Sequence, residues 1–251
     1  MVIILIALLA SYILPLLLYF FLKSNHKEDD AYKKDCRALL LNGLLLGFPV
    51  FLFSFLCNIL FKLTGLSRIY PLAQTIFTAF VLEAFSEELM KYLAARRIIN
   101  KNRSTLSFLD TMAFTAIAGI GFELMESVVY LIESNVPQIL VRGITNMHAV
   151  FGLTTGFILA KGYKKGKNPV IPAILIVSLI HGVYDFCLAE GIAETDWGFI
   201  SLLIAAICMI LSIWSFFFIR KARKKPYYTE PLFPESSSEN RTAPNPQEET
   251  L

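Results

Sequence analysis

Apolar segments of about twenty residues recur along this sequence, and they restrict the fold more than any other feature. Each is long enough to cross the ~30 Å hydrocarbon layer of a membrane as a helix. The runs are continuous, without the alternation of a porin-like barrel, and backbone in lipid must satisfy its own hydrogen bonds. The sequence therefore predicts an all-α, polytopic membrane helix bundle with about seven transmembrane helices, at residues 2–22, 39–61, 71–95, 108–132, 140–160, 169–189 and 198–219.

The composition agrees with a chain that is solvated mainly by lipid. Of the 251 residues, 55% are hydrophobic and only 17% are charged, whereas a soluble domain carries about 25% charged residues. The net charge of +3 comes from basic loops and predicts no nucleic-acid partner. The four cysteines stand singly, without a CxxC pair, which predicts small core residues rather than disulfides or a thiolate zinc site.

The loops between the predicted spans alternate in charge. Those after the first, third, fifth and seventh spans are basic: Lys23, Lys27, Lys33, Lys34 and Arg37; Arg96, Arg97, Lys101 and Arg103; Lys161, Lys164, Lys165 and Lys167; Arg220, Lys221, Arg223, Lys224 and Lys225. The positive-inside rule places these loops in the cytoplasm, so the N-terminus is predicted outside and the C-terminus inside. Residues 1–225 then form the membrane domain, and residues 226–251, rich in Pro, Ser, Glu and Asn, are predicted to be a disordered cytoplasmic tail.

Ionisable side chains are concentrated in spans three to six. They are Glu83, Glu87, Glu88 and Lys91; Asp110, Glu123 and Glu126; Arg142 and His148; His181 and Asp185. Each would cost at least ~2.5–3.5 kcal/mol at the bilayer centre, so they are expected to face one another or a wet cavity. A polar core built from helices 3–6 follows, and at this point a structural role or the ion path of a transporter remains open.

The spacing of these residues favours a reactive site. Glu87 and Glu88 precede Lys91 by four and three residues, which places them on neighbouring positions of one helix face. One ammonium group cannot neutralise all the nearby carboxylates, so at least one of them is left for another task. His181 lies four residues before Asp185, where the carboxylate can orient the imidazole. Together with His148, these groups predict a catalytic or metal-binding role.

Four short motifs resemble those of the PrsW family of intramembrane proteases. They are Glu87-Glu88-Leu89-Met90-Lys91 (EExxK), Phe122 four residues before Glu126, His148 with Arg142 upstream, and His181 four residues before Asp185. They occur in order on four successive spans and cover about residues 75–190. In the related CAAX prenyl proteases and bacteriocin-processing enzymes the first motif usually ends in Arg and the second in His, so Lys91 and Glu126 favour the PrsW branch. Ser127 departs from the Asn that the family pattern leads one to expect.

The resemblance implies an intramembrane peptidase of a bacterial plasma membrane, acting on a membrane-anchored protein such as an anti-sigma factor. The sequence leaves a CAAX-type protease, a proton- or cation-coupled transporter and an inactive membrane scaffold open as alternatives, and it predicts no oligomeric state. The rival transporter predicts inverted repeats with interrupted helices, and no convincing repeat is found.

The residue types suggest a mechanism. No serine or cysteine in the apolar segments has an obvious base partner, so hydrolysis by activated water is expected. Glu87 is the first choice for the general base and Glu88 the second. His148 and His181 would hold the oxyanion or orient the water, with Glu126, Asp185 and Lys91 as charged support. No cofactor is expected in this mechanism; the alternative is a zinc site made by His148, His181 and Glu87.

A count of residues gives the expected depth of the site. At 1.5 Å per residue, His148 and His181 lie about 12 Å and Glu126 about 9 Å from the outer ends of their spans. Glu87 lies about 24 Å from Pro71, which does not match. The other three positions predict a site in the outer half of the membrane, suited to cleavage near an extracytoplasmic boundary.

Overall fold

The computed structural model describes residues 2–132, 145–189 and 198–233 of the chain. Within these residues the backbone is helical apart from short turns and one isolated β-bridge between Ser107 and Pro231. The helices are α1 (Val2–Lys23), α2 (Asp30–Thr64), α3 (Leu66–Ile69), α4 (Pro71–Phe77), a π-helical segment (Thr78–Phe85), α5 (Ser86–Lys101), α6 (Phe108–Ile132), α7 (Met147–Tyr163), α8 (Val170–Leu188), α9 (Gly198–Ala222) and α10 (Pro226–Thr229). The predicted all-α architecture is confirmed.

Each of the seven predicted spans contains a helix. Four stretches in the described residues are long and apolar enough to cross a membrane: Asp30–Thr64, Phe108–Tyr130, Val170–Leu188 and Leu203–Ala222. Large apolar side chains cover the outside of the bundle, among them Leu45, Phe48 and Leu63 of α2, which are 65, 60 and 78% exposed. Such a surface needs lipid around it. The chain is a multi-pass membrane protein, and the orientation of its termini stays a prediction.

Two helices are longer than hydropathy predicted. Helix α2 has 35 residues, about 52 Å, because it already begins in the polar stretch at Asp30. The Asp29 side chain caps it by accepting a hydrogen bond from the backbone N–H of Tyr32 at 2.9 Å. Segments α4, π and α5 follow one another without a break from Pro71 to Lys101, 31 residues in all. Hydropathy detects only the apolar part of such helices, so both predicted spans were too short.

Helix α6 is the centre of the bundle and is buried along nearly its whole length. It packs against α1, α2, α5 and α7. Small residues of α7 make one of these contacts close, because Gly152 and Gly156 lie directly against Thr115 and Met112 of α6. Cys36 and Cys208 are buried and all four cysteines are free thiols, as expected for core residues.

The described residues continue past Pro226, where the predicted tail begins. Residues 226–229 form α10, the ring of Tyr228 packs on Phe108 with centroids 5.2 Å apart, and the backbone N–H of Leu232 donates to Leu106 O at 2.8 Å. The tail boundary at Pro226 is therefore too early, because aromatic residues just after it pack on the bundle. Residues 234–251 lie outside the described ranges.

Candidate active site

A π-helical segment places the paired glutamates. In the segment Thr78–Phe85 the helix widens, and Leu82 O accepts hydrogen bonds from the hydroxyls of both Ser54, at 3.1 Å, and Ser86. Such segments inside α-helices are frequent at functional sites. Opposite it, Gly182 of α8 lies against the ring of Phe80, where a β-carbon would collide. Because the two segments approach closely here, His181, which precedes Gly182, lies beside the start of α5.

Lys91 is the hub of the polar cluster. Its Nζ lies 3.2 Å from Glu87 Oε2, 2.9 Å from Glu88 Oε1 and 2.6 Å from His148 Nδ1. The ammonium group also lies 4.7 Å from the centre of the Phe122 ring, a favourable cation–π distance. The four partners come from α5, α6 and α7. Lys91 therefore holds three helices together at this point.

The contacts of His148 fix its tautomer. Lys91 can only donate, so Nδ1 of His148 accepts, and Nε2–H then donates to Glu126 Oε2 at 2.5 Å. His148 is the second residue of α7, and its backbone N–H donates to Glu123 Oε2 at 3.2 Å. This amide has no partner within its own helix, so Glu123 acts as a cap from the neighbouring helix. Before it, Asn146 takes a left-handed backbone conformation with φ of 49°, which Asn tolerates better than most residues.

The contacts of His181 indicate the other tautomer, with the proton on Nδ1. Its Nδ1 lies 3.1 Å from Glu88 Oε1, and a carboxylate can only accept, so Nδ1–H donates and a neutral ring leaves a lone pair on Nε2. This Nε2 lies 3.0 Å from Asp185 Oδ2 and 3.8 Å from Glu87 Oε2. Neither contact has hydrogen-bond geometry, and Nε2 is a buried polar atom without a hydrogen-bond partner. Nε2 of His181 thus faces two carboxylates, as a ligand lone pair when the ring is neutral and as the charged partner of Asp185 when the ring is protonated.

Three of these groups could hold a metal ion. One ligand atom each from Glu87, His148 and His181 lies within 4.8 Å of the others. Glu87 Oε2 is 3.7 Å from His148 Nδ1 and 3.8 Å from His181 Nε2, and both nitrogens are the ones left without a proton by the contacts above. Each ring donates its other N–H to a carboxylate, which is typical of histidines that bind zinc.

The charges of the cluster also favour a cation. Glu87, Glu88, Glu126 and Asp185 supply four carboxyl groups, and Lys91 supplies one ammonium group. The side chains of this cluster, with His148 and His181, are between 0 and 6% exposed, so water screens these charges little. Among the described residues of this cluster, four carboxylates face one ammonium group, and protons or a metal ion would balance the difference. A divalent cation fits both this charge and the donor set.

A cavity of about 420 Å³ reaches the cluster from the side of α2. Its polar wall contains Glu87, Glu126 and Asp185, together with Glu83 and Asn58, whereas Glu88 does not line it. Its apolar wall includes Phe48 and Phe55, which are 60 and 62% exposed on the outside of the bundle. The cavity therefore joins the polar cluster to the lipid-facing surface.

The structure resolves the mismatch in depth. Measured from the helix ends that carry the basic loops, Glu87 lies about 21 Å from Lys101 and His148 about 22 Å from Tyr163. On the same basis Glu126 lies about 27 Å from Phe108, and His181 about 16 Å from Val170. These counts range from about 16 to about 27 Å, each more than half of the ~30 Å hydrocarbon layer. The direct contacts among the four side chains, rather than the counts, place them at one level. The count from Pro71 failed because that helix extends beyond the others on the opposite side.

The predicted site residues are brought together by the fold. Glu87, Glu88, Glu126, His148 and His181 form one contact network, with Lys91, Phe122 and Asp185 directly against it. Arg142 lies outside the described residues. Glu123 was seen in the sequence only as a buried carboxylate, and its role as a cap on His148 could not be foreseen from its spacing. The expected Asp185–His181 pair is close in space but lacks hydrogen-bond geometry.

Comparison with known proteins gives a consistent result. The family model described as "PrsW family intramembrane metalloprotease" matches residues 36–215. The chain is 24% identical to Protease PrsW of Geobacillus kaustophilus over 86% of this chain and 89% of that protein. It is 25% identical to Protease PrsW of Bacillus subtilis, over 84 and 90% of the two chains, and 26% identical to that of Clostridioides difficile, over 78 and 84%. No solved structure matches the chain.

Proposed function

Because the chain belongs to the PrsW family of intramembrane proteases, we propose that it cleaves a membrane-anchored protein at the cluster of Glu87, His148 and His181. The convergence of these three side chains beside the cavity is the observation that carries the proposal. A peptidase needs a group that activates water and groups that stabilise the developing oxyanion, next to a space for the peptide. Family membership favours this activity over the transporter and CAAX-type alternatives.

We propose a single-span membrane protein as the substrate, with anti-sigma factors as the candidate class. The cavity supports this choice, since its wall of Phe48 and Phe55 faces lipid and admits a substrate from within the membrane. A volume of about 420 Å³ accommodates a short peptide segment rather than a folded domain. Under the predicted orientation the cluster lies in the outer half of the membrane, so cleavage is expected near the extracytoplasmic boundary of the substrate.

We propose that the enzyme is metal-dependent, with His148, His181 and Glu87 as ligands. These residues would hold a zinc ion, which would supply an acidified water and Lewis-acid polarisation of the scissile carbonyl. Glu126 and Glu88 hold the two imidazoles in the required tautomer. A carboxyl group that lines the cavity would accept the proton of the attacking water, and Glu126 and Asp185 lie in this lining together with Glu87. Lys91 keeps the paired glutamates from repelling each other.

A metal-free mechanism is the second candidate, and one observation favours it. The ammonium group of Lys91 lies 2.6 Å from His148 Nδ1, the atom that a metal ion would need. In this mechanism Glu87, which lines the cavity, is the general base, as the sequence suggested. Donation to the oxyanion then requires a second proton on an imidazole, because the existing N–H groups of His148 and His181 already donate to Glu126 and Glu88.

Cleavage by the purified protein in liposomes tests the proposed activity. A candidate single-span substrate is incubated with wild type, with Glu87→Gln and with the control Glu83→Gln, which changes the same residue type in the same cavity wall. We expect Glu87→Gln to lower the rate roughly 10²-fold or more, the scale of a lost general base, and Glu83→Gln to have a much smaller effect. Undiminished cleavage by the Glu87→Gln, Glu88→Gln double variant would refute the proposed site.

Metal content separates the two mechanisms. We expect about one zinc ion per wild-type chain by elemental analysis, and a large loss of zinc in His181→Ala and Glu87→Gln. The chelator 1,10-phenanthroline should abolish cleavage and added Zn²⁺ should restore it, while the non-chelating 1,7-isomer serves as the matched control. A protein that contains no metal and cleaves in the presence of the chelator supports the metal-free mechanism.

A further inference from the structure

A second cavity, of about 440 Å³, lies on the other side of the bundle from the cavity at the candidate active site. It is bounded by α6, α7, α8, α9 and α10, and its wall is almost entirely apolar. Phe151, Phe157, Trp214 and Phe218 supply much of that wall. Its size is within the range of ~300–1,000 Å³ that is usual for ligand pockets.

The shape of the cavity follows the axis of α7. The lining includes Met147, Val150, Phe151, Thr154 and Phe157. They form one face of this helix over a rise of about 15 Å. An apolar cavity that extends along a membrane helix matches the direction and the chemistry of a lipid acyl chain. Ile180 and Trp214, which are 50 and 60% exposed, place its mouth at the lipid-facing surface.

Positive charge stands at one end of this cavity. The Nζ of Lys161 lies 5.8 Å from the centre of the lining Phe157 ring. The Nζ of Lys164 lies 3.5 Å from the centre of the Tyr227 ring, which packs against the lining Tyr228 at 4.9 Å. Both lysines are exposed and belong to the side of the bundle that carries the basic loops. An acyl chain in the cavity thus brings a headgroup close to two ammonium groups.

We propose that this cavity binds one acyl chain of an anionic phospholipid, whose phosphate group is held by Lys161 and Lys164. The apolar wall excludes a charged ligand from the cavity itself, and the two lysines select the negative headgroup at its end. A substrate segment fits this cavity less well than a lipid does, because the carboxylates of the candidate active site line the other cavity. The lipid would also support Phe151, whose ring lies 4.4 Å from that of His181.

Lipid binding to the purified full-length protein tests the proposal. Delipidated protein in detergent is titrated with phosphatidylglycerol or with phosphatidylcholine of identical chains, and bound lipid is counted by native mass spectrometry. We expect wild type to bind one phosphatidylglycerol with clear preference. The variant Lys161→Gln, Lys164→Gln should reduce this preference by roughly 25-fold, at about fivefold for each lysine near an anionic headgroup.

The control variant is Lys165→Gln, Lys167→Gln, which removes the same charge from the same loop. This control should leave the preference for phosphatidylglycerol nearly unchanged. If it reduces the preference as much as the Lys161→Gln, Lys164→Gln variant does, only diffuse surface charge acts, and the proposal is overturned. The acyl chain is tested by Thr154→Trp, which fills the cavity and should weaken binding at least tenfold. Should this variant fail to fold, dihexanoyl phosphatidylglycerol replaces it as the test on wild type. Binding of the short-chain lipid as tight as that of the long-chain lipid would overturn the proposal as well.

Discussion

Removal of the Lys91 ammonium group is expected to destabilise the protein strongly. Lys91→Met keeps much of the side-chain volume but loses the contacts to Glu87 at 3.2 Å, Glu88 at 2.9 Å and His148 at 2.6 Å. Both carboxylates are 2% exposed, so water cannot replace the lost cation. Loss of one partner of a buried ion pair costs about 3–5 kcal/mol, and we expect the free energy of unfolding to fall by that amount.

The assay is denaturant unfolding in detergent micelles with a zinc chelator present, because a bound cation would offset the lost charge. Lys101→Met is the control. Its Nζ lies 2.8 Å from Asp35 Oδ1, and the exposed fractions of the two side chains are 59 and 7%. Asn102 still donates to Asp35 at 2.7 Å after the change and the lysine is in water, so we expect a loss of about 1 kcal/mol, well below that of Lys91→Met. In a double-mutant cycle, Glu88→Gln should recover at least about 1 kcal/mol of the Lys91→Met loss, since fewer buried charges are then left unpaired. If Lys91→Met costs no more than Lys101→Met, the structural role assigned to Lys91 is wrong.

Two further predictions concern the approach of α6 to α7 and the loop between α1 and α2. Gly119→Ala places a β-carbon against the backbone carbonyl of His148. We expect the free energy of unfolding, measured with denaturant, to fall by about 1–3 kcal/mol and cleavage to be reduced. A variant with wild-type stability and activity would contradict this close contact. The hydrogen bond between His26 and Asp110, at 2.8 Å, raises the pKa of His26, and the nearby Asp29 adds to this effect. The His26–Asp110 pair therefore stabilises the fold fully below the unfolded pKa of about 6.5, and this stabilisation is lost as the pH rises through the folded pKa. His26→Gln should therefore destabilise the protein at pH 6 by at most about 1 kcal/mol, because the side chain is 45% exposed, and by less at pH 9; equal effects at both values would refute the ion pair.

The sequence predicted the helices and the members of the polar cluster for one physical reason. Lipid makes both a broken backbone hydrogen bond and an unpaired charge expensive, so apolar runs must be helical and charged residues within them must meet. The start of α6 at Phe108 was predicted to the residue because a polar stretch directly precedes it. Glu87 and Lys91 were paired correctly because a helix fixes their spacing.

Other features depend on contacts that spacing does not encode. The π-helical segment Thr78–Phe85 has no evident signal in the sequence, since it depends on hydroxyls at Ser54 and Ser86 and on the gap left by Gly182. The cap that Glu123 supplies to His148 joins two helices whose relative height is set only by packing. Helix length was underestimated wherever a polar stretch continues an apolar one, as at the start of α2.

The connectivity of the cluster determines what substitutions can reveal about it. Glu88 Oε1 contacts both Lys91 and His181, and Glu87 Oε2 lies within 4 Å of Lys91 and of both histidines. A change at either glutamate therefore alters the charge of the site and the position of an imidazole at once. Effects on the rate will not add up across such residues, and a large loss of activity alone assigns no role. Zinc content distinguishes a glutamate that binds the ion from one that only balances charge. Replacement of a zinc-binding glutamate by Gln lowers the zinc content of the protein. Replacement of a charge-balancing glutamate lowers activity or stability, while the protein retains its zinc.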